Sequence, residues 1–235
     1  MKIKAVLFDL DGTLLPMDQN RFIQAYFHLL AKKMAGFGYE PESFMDGFWH
    51  AISAMLKNDG SRTNEETFWK TFTAQLGDGA VSDPSIYEEF YRKEFLAAKD
   101  TCWFAPEAAE VIALVKEKGL RPILATNPLY PAIATQTRIR WAGLSPEDFE
   151  LYSTYENFRH CKPNPDYYRE VLEKLGLQAE DCLMVGNDVK EDMVAATLGI
   201  EVFLLTDCLI NTEGKDISRY PNGGFPQLMD YIRSL

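Results

Sequence analysis

The sequence predicts an α/β protein built on a parallel sheet, with a helical unit inserted after the first strand. Three observations predict it. Residues 3–8, Ile-Lys-Ala-Val-Leu-Phe, form an apolar run about the length of one buried strand. From about residue 101 onward, strand-like and helix-like segments alternate, as strands joined by crossover helices do. Between residues 17 and 100 no convincing strand occurs, and apolar residues recur at helical spacing instead.

The elements follow in order. The first strand runs into Asp9-Leu10-Asp11-Gly12-Thr13, where glycine and threonine end it. In the inserted segment, Phe22, Tyr26, Leu29, Leu30 and Met34 make one helical stripe, and Phe44, Phe48, Ile52 and Met55 a second. A polar turn from Lys57 to Asn64 separates these from a helix that starts at Asp83-Pro84 and carries Ile86, Tyr87, Phe90 and Phe95. Pro106 opens a further helix with Ala108, Val111, Ile112 and Val115 on one face, and Gly119 ends it. Arg121 to Ala125 reads as a strand ending at Thr126-Asn127. A helix over roughly 130–141 and a strand around 149–153 follow. Asn164 caps the next helix with Pro165 in its first position, and Tyr168, Val171, Leu172 and Leu175 face inward. Cys182 to Val185 is a strand broken by Gly186-Asn187-Asp188. A helix then runs to Leu198, Val202 to Leu205 is a strand, and 225–235 a terminal amphipathic helix.

Composition bounds the function. A chain of 235 residues, 46% hydrophobic, has ample core for one domain or two lobes. A net charge of −11 disfavours nonspecific binding to nucleic acid or an anionic membrane. Cys102, Cys161, Cys182 and Cys208 show no paired short spacing, so neither a zinc site nor a disulfide framework is indicated. The N-terminal apolar run meets Asp9 too early for a signal peptide and no 18-residue apolar stretch exists, so a cytoplasmic protein is expected. The scattered His28, His50 and His160 give no ligand spacing.

Four short motifs close four expected strands: Asp9/Asp11, Thr126-Asn127, Lys162, and Asp188 with Asp192. Parallel strands bring their carboxyl ends to one edge of a sheet, where ligands bind. Each motif alone has an ordinary reading. Asp11-Gly12 reads as a turn, Thr126-Asn127-Pro128 as another, Lys162 as a solvated loop lysine, and Asp188 with Glu191 as a capping box. Together they supply carboxylates, hydroxyl and amide donors and one cation, the parts phosphoryl transfer requires.

In Asp9-Leu-Asp-Gly-Thr-Leu14, Thr126-Asn127, Lys162-Pro-Asn-Pro165 and Gly186-Asn-Asp-Val-Lys-Glu-Asp192, the chain resembles the haloacid dehalogenase-like hydrolase superfamily, in its phosphatase branch with an inserted helical cap. The resemblance implies a Rossmann-like core of residues 1–16 and 101–235, helices on both sheet faces, and a cap of 17–100. It implies that Asp9 attacks phosphorus and forms an aspartyl-phosphate. Asp11 would act as general acid and then base. Gly12, Thr126 and Asn127 would bind the phosphoryl oxygens, and Lys162 would offset charge. Mg²⁺ would be held by the Asp9 side chain, the Asp11 backbone carbonyl and Asp188, with Asp192 behind them orienting Lys162 or a metal-bound water. Where the commonest family form has aspartate directly after the glycine, this chain has Asn187. Asp188 and Asp192 therefore align with the acidic pair, and an approach of Asn187 to the metal stays open.

The expected activity is Mg²⁺-dependent hydrolysis of a small phosphorylated metabolite by a monomer or homodimer. Three alternatives stand beside it. A dehalogenase of the same fold would leave Asp11 without a purpose, since halide departs unprotonated. A phosphosugar mutase would pass the phosphoryl group to a second hydroxyl. A non-catalytic binding or regulatory module would have no need of acids at all four motifs. Arg62, in the polar turn, is a further candidate for reading a substrate carboxylate or second phosphate.

Overall fold

The computed structural model describes residues 3–76 and 84–235. The strands β1 (Ala5–Phe8), β2 (Arg121–Leu124), β3 (Cys182–Gly186), β4 (Glu201–Leu205) and β5 (Asn222–Gly223) form one parallel sheet in the order β2-β1-β3-β4-β5. β1 lies inside the sheet and pairs with both β2 and β3, which fixes Phe8 beside Leu124 and Val185. β1 and β3 are buried on both faces, so their residues are apolar throughout rather than alternating.

Successive side chains still point to opposite faces. Val6, Phe8, Leu183, Val185, Phe203 and Leu205 join one apolar cluster with helices α5 (Pro106–Glu117) and α8 (Phe225–Ser234). Ala5, Leu7, Cys182, Met184, Val202 and Leu204 join a second cluster with α7 (Pro165–Leu175). Helices therefore cover both faces. Asn164 caps α7 by accepting from the Asp166 backbone N–H at 3.0 Å, and Gly176 ends that helix in the left-handed conformation at φ 63°.

Residues between β1 and α5 form α1 (Gln19–Ala35), α2 (Pro41–Leu56), α3 (Asn64–Leu76), α4 (Pro84–Arg92) and a 3₁₀ segment, Glu94–Thr101. No strand occurs among the described residues of 17–100, as the helical spacing predicts. Phe22, Phe44, Phe72, Phe90 and Phe95 are fully buried between these helices, each burial worth about 1.5–3 kcal/mol. The chain leaves the sheet and returns to it side by side. Met17 bridges Cys102 in antiparallel fashion, and the Trp103 N–H donates to the Pro16 carbonyl at 3.0 Å.

Several expectations need correction. Residues 149–153 form no regular strand. Glu150 N–H, Ser153 N–H and Leu151 C=O all bond β2, but Tyr152 makes only an isolated bridge to Leu124. Lys162 consequently comes from the loop before α7 rather than from a strand end. The helix expected over 130–141 is α6 (Ala132–Trp141), because Pro131 stays extended at ψ 158° and caps it. The helix ending at Leu198 is a short 3₁₀ segment, Met193–Leu198, stopped by Gly199 at φ 88°. Phe95 belongs to the 3₁₀ segment after α4, not to α4 itself. Asp83, the expected cap of α4, lies outside the described residues. The helix α3 and the two-residue strand β5 carry no expectation from the sequence.

Candidate active site

The site is built where β1 and β3 end. The Asp9 N–H donates to the Val185 carbonyl at 2.9 Å, extending the strand pairing by one residue and fixing the aspartate's position. The chain then reverses: Thr13 N–H and Leu15 N–H both donate to the Leu10 carbonyl, at 3.1 and 2.8 Å. Gly12 occupies this reversal at φ 84°, and a Cβ there would overlap the Asn187 amide. Glycine is thus required twice over, by conformation and by space.

Lys162 is fully buried beneath the strand ends. Its Nζ donates to Asp9 Oδ1 at 2.9 Å and to Asp192 Oδ1 at 2.7 Å. Burial opposes its charge, but Asp192 and Asp9 outweigh burial and hold the ammonium well above the ordinary lysine range. The Lys162 backbone is gripped by the Asn127 side chain, whose Oδ1 accepts from Lys162 N–H at 3.2 Å. The Asn127 Nδ2 also donates to Glu191 Oε2 at 3.1 Å. Thr126 is buried, and its carbonyl accepts from the Ser153 and Tyr167 hydroxyls at 2.5 and 2.9 Å.

The acidic loop after β3 folds back on itself. Asp188 Oδ1 accepts from the Lys190 and Glu191 N–H groups at 2.7 and 2.9 Å, and Asp192 Oδ2 accepts from the Asp188 N–H at 2.9 Å. A Cβ on Gly186 would overlap the Asp192 carboxylate, so glycine leaves the room that carboxylate uses. The Thr13 hydroxyl lies 3.2 Å from Asp9 Oδ2 and 3.1 Å from Asn187 Oδ1 and donates to them. Asn187 Nδ2 donates to the Cys208 carbonyl at 2.7 Å, so both ends of that amide are engaged within the protein.

Asp9, Asp11, Thr126, Asn127, Asp188 and Asp192 line one small crevice of about 30 Å³, with Lys162 bonded underneath. Gly12 is held against Asn187, which also lines the crevice. Asp11 lines the crevice but is drawn toward α6. Its carboxylate is taken by Arg138 through Oδ2, while Oδ1 is buried without a hydrogen-bond partner among the described residues. Burial pushes the Asp11 carboxyl up and nearby Asp9 adds to this, with Arg138 opposing.

Arg138, Glu191 and Thr13 are the residues that the sequence reading passes over. Arg138 is fully buried on α6, with its guanidinium 4.1 Å from the Tyr130 ring centroid. Its signal is an arginine on the face that Ala134, Thr135 and Ile139 bury. Glu191 reads as a capping residue, yet it lines the crevice, and burial among other carboxylates pushes its carboxyl up to about 8. Arg62 is exposed and does not line the crevice, so the role suggested for it gains nothing from the structure. His160 lies 3.1 Å from Glu170 through Nδ1, away from the crevice.

The donor set suits a hard divalent cation. Asp9, Asp188, Glu191 and Asp192 crowd one crevice against the single ammonium of Lys162, and the raised Glu191 carboxyl registers that crowding. Among the described residues no group of three or more His, Cys, Asp or Glu side chains closes on a point. Mg²⁺ does not require such a cage, since it binds through one or two carboxylates and keeps several waters or takes substrate phosphate oxygens.

A parallel sheet with helices on both faces and acids converging at its strand ends defines an α/β enzyme that works at a switch-point crevice. The chain belongs to the haloacid dehalogenase-like hydrolase family, whose model it matches over residues 3–198. It is 29% identical over 201 residues to phosphoglycolate phosphatase of Neisseria gonorrhoeae, covering 83% of this chain and 75% of that protein. It is 26% identical over 239 residues to glyceraldehyde 3-phosphate phosphatase of Methanocaldococcus jannaschii, covering 99% and 98%. Among solved structures, a HAD phosphatase from Thermococcus onnurineus superposes with a TM-score of 0.60 at 20% identity, over 98% of each chain. L-2-haloacid dehalogenase from Xanthobacter autotrophicus superposes with a TM-score of 0.59 at 18% identity, over 99% of each, so the fold is shared across two chemistries. Among the described residues no helix is long and apolar enough to cross a membrane.

Proposed function

We propose that the chain is a Mg²⁺-dependent phosphatase that hydrolyses a small phosphate monoester through an aspartyl-phosphate. The observation that carries this reading is the buried Lys162 ammonium shared between Asp9 and Asp192 at the floor of an acid-lined crevice. That cation fixes the Asp9 carboxylate through Oδ1, leaving Oδ2 toward Thr13 as the oxygen to attack phosphorus. Asp11 protonates the departing alkoxide and later accepts a proton from the attacking water. Its Oδ1 carries no hydrogen bond among the described residues, while Arg138 holds the other oxygen. Thr126 and Asn127 flank the phosphoryl group, and the Asn127 amide keeps the Lys162 backbone in place. The carboxylates of Asp9 and Asp188 and the Asp11 backbone carbonyl would hold Mg²⁺, which would supply charge neutralisation at the phosphoryl oxygens.

Two features speak against dehalogenation. Asp11 would have no proton to deliver to a halide, and attack at carbon would leave the paired acids Asp188 and Asp192 without a metal to serve. Residues 17–100 act in this reading as the cap, and 1–16 with 101–235 as the core. The support is that the helices between Gln19 and Thr101 form one aromatic-packed block whose chain entry and exit adjoin.

The test is phosphate release from a panel of phosphomonoesters with Mg²⁺ and with chelator, using wild type and Asp9→Asn. Release that needs Mg²⁺ and falls at least about 10³-fold in Asp9→Asn is the expected result. Undiminished release from Asp9→Asn would sink the mechanism.

A further inference from the structure

Two segments that line the acid crevice also line an apolar groove a few residues further along. Gln19 lines the crevice, and Ile23 and Phe27 follow at intervals of four on the same face of α1, each about one turn further along. On the opposite side, Asn127 lines the crevice, and Leu129 and Tyr130 lie two and three residues beyond it. Ile23, Phe27, Leu129 and Tyr130, with Trp49 and Ile52 from α2, enclose a groove of about 80 Å³.

Its chemistry is one-sided. No charged side chain lines the groove among the described residues. The Tyr26 hydroxyl at its edge is already paired with Tyr91 at 2.8 Å. Arg138, which stacks on the lining residue Tyr130, is already bound to Asp11. A carboxylate or second phosphate on the substrate would therefore meet no cation in the groove. Trp49 leaves 48% of its surface exposed although it stacks edge-on to Phe27 at 4.6 Å, so an apolar face stands ready to be covered.

We infer that this groove binds the alcohol portion of the substrate, and that the substrate is the phosphate monoester of an uncharged apolar alcohol, a short alkyl chain or a single ring. The inference rests on the phosphatase reading, because it places the leaving group beside a phosphoryl group held at Asp9. It separates this chain from relatives named for phosphoglycolate, whose substrate carries a carboxylate, and from those named for pyrophosphate.

The experiment compares kcat/KM for benzyl, hexyl and methyl phosphates with that for phosphoglycolate and inorganic pyrophosphate, all with Mg²⁺. Benzyl or hexyl phosphate is expected to exceed phosphoglycolate and pyrophosphate by about tenfold or more, the discrimination a methylene or two earns in an apolar pocket. In Leu129→Asn and Ile52→Asn, the ratio of benzyl to methyl phosphate should fall about fivefold or more, through KM rather than kcat. A preference for phosphoglycolate or pyrophosphate, or a ratio that neither substitution moves, overturns the inference and leaves the phosphatase reading intact. Hydrolysis of none of these compounds by the folded wild type overturns the phosphatase reading itself, and the inference falls with it.

Discussion

Asp11 and Arg138 show how much depends on single contacts here. Arg138 is fully buried and Asp11 largely so, and each ion is left with one buried polar atom unmatched, Asp11 Oδ1 and Arg138 Nε. Removing one partner strands the other charge in a low-dielectric interior, whereas removing both leaves only a packing change. Arg138→Met is therefore expected to cost about 3–5 kcal/mol in urea unfolding, and Arg138→Met with Asp11→Leu is expected to recover most of it. A double variant no more stable than the single one would mean that the pair is not the source of the loss. The pairing was not legible from the sequence. Asp11 stands out by its spacing from Asp9, but nothing in Asp-Leu-Asp-Gly says that an arginine 127 positions further on will take its carboxylate. Glu191 was hidden for a different reason: it fills a capping pattern, and only burial reveals that it also faces the crevice.

At the scale of elements, α3 is anchored at its first residue. Asn64 is fully buried, donates to the Pro128 carbonyl at 3.2 Å and the Cys161 sulfur at 3.3 Å, and accepts from Asn58 Nδ2 at 2.9 Å. Both contacts across to the sheet side fall in loops that carry site residues, one after Asn127 and one before Lys162. Asn64→Ala would leave the Asn58 Nδ2 with only its bond to the Arg62 carbonyl and take the Asn64 donor from Pro128 and Cys161, at a cost of about 1–3 kcal/mol by chemical denaturation. Its turnover should fall more than that of Asn164→Ala, which removes only the cap of α7 at about 1 kcal/mol. Equal turnover in the two variants would remove α3 from any part in holding the site. The strong elements were readable because burial and period agree: β1 and β3 are apolar on both faces, and α5 and α7 carry proline at the start and glycine past the end. The segment 149–153 misleads because Tyr152 and its neighbours have strand composition yet follow β2 for a single bridge. The 3₁₀ run Met193–Leu198 misleads because six residues of apolar spacing do not distinguish it from a helix.

For the whole molecule, one apolar cluster runs from the β1 face of the sheet through Leu14 and Met17 into the aromatic block of the helices between Gln19 and Thr101. A single unfolding transition is expected for the chain, with fluorescence of Trp49 and Trp69 in the helices and of Trp141 on α6 reporting the same midpoint in single-tryptophan variants. Separate midpoints would show two independent cores. Mg²⁺ bound to the native state should stabilise it in step with the logarithm of its concentration, by about 2.7 kcal/mol at one hundred times its Kd, and Asp188→Asn should abolish most of that gain. Order and location of the site motifs were legible because a parallel sheet gathers strand ends whatever the intervening sequence. The groove was not, since Ile23, Trp49 and Leu129 come from three separate segments and share no pattern. The antiparallel bridge between Met17 and Cys102, with Trp103 bonded to Pro16, has a consequence for how this protein can be rebuilt. Entry and exit strands clasped side by side make the helical block a cassette with a fixed socket. Another helical block whose ends lie the same short distance apart can be seated there, and the sheet with its acids need not be redesigned to receive it.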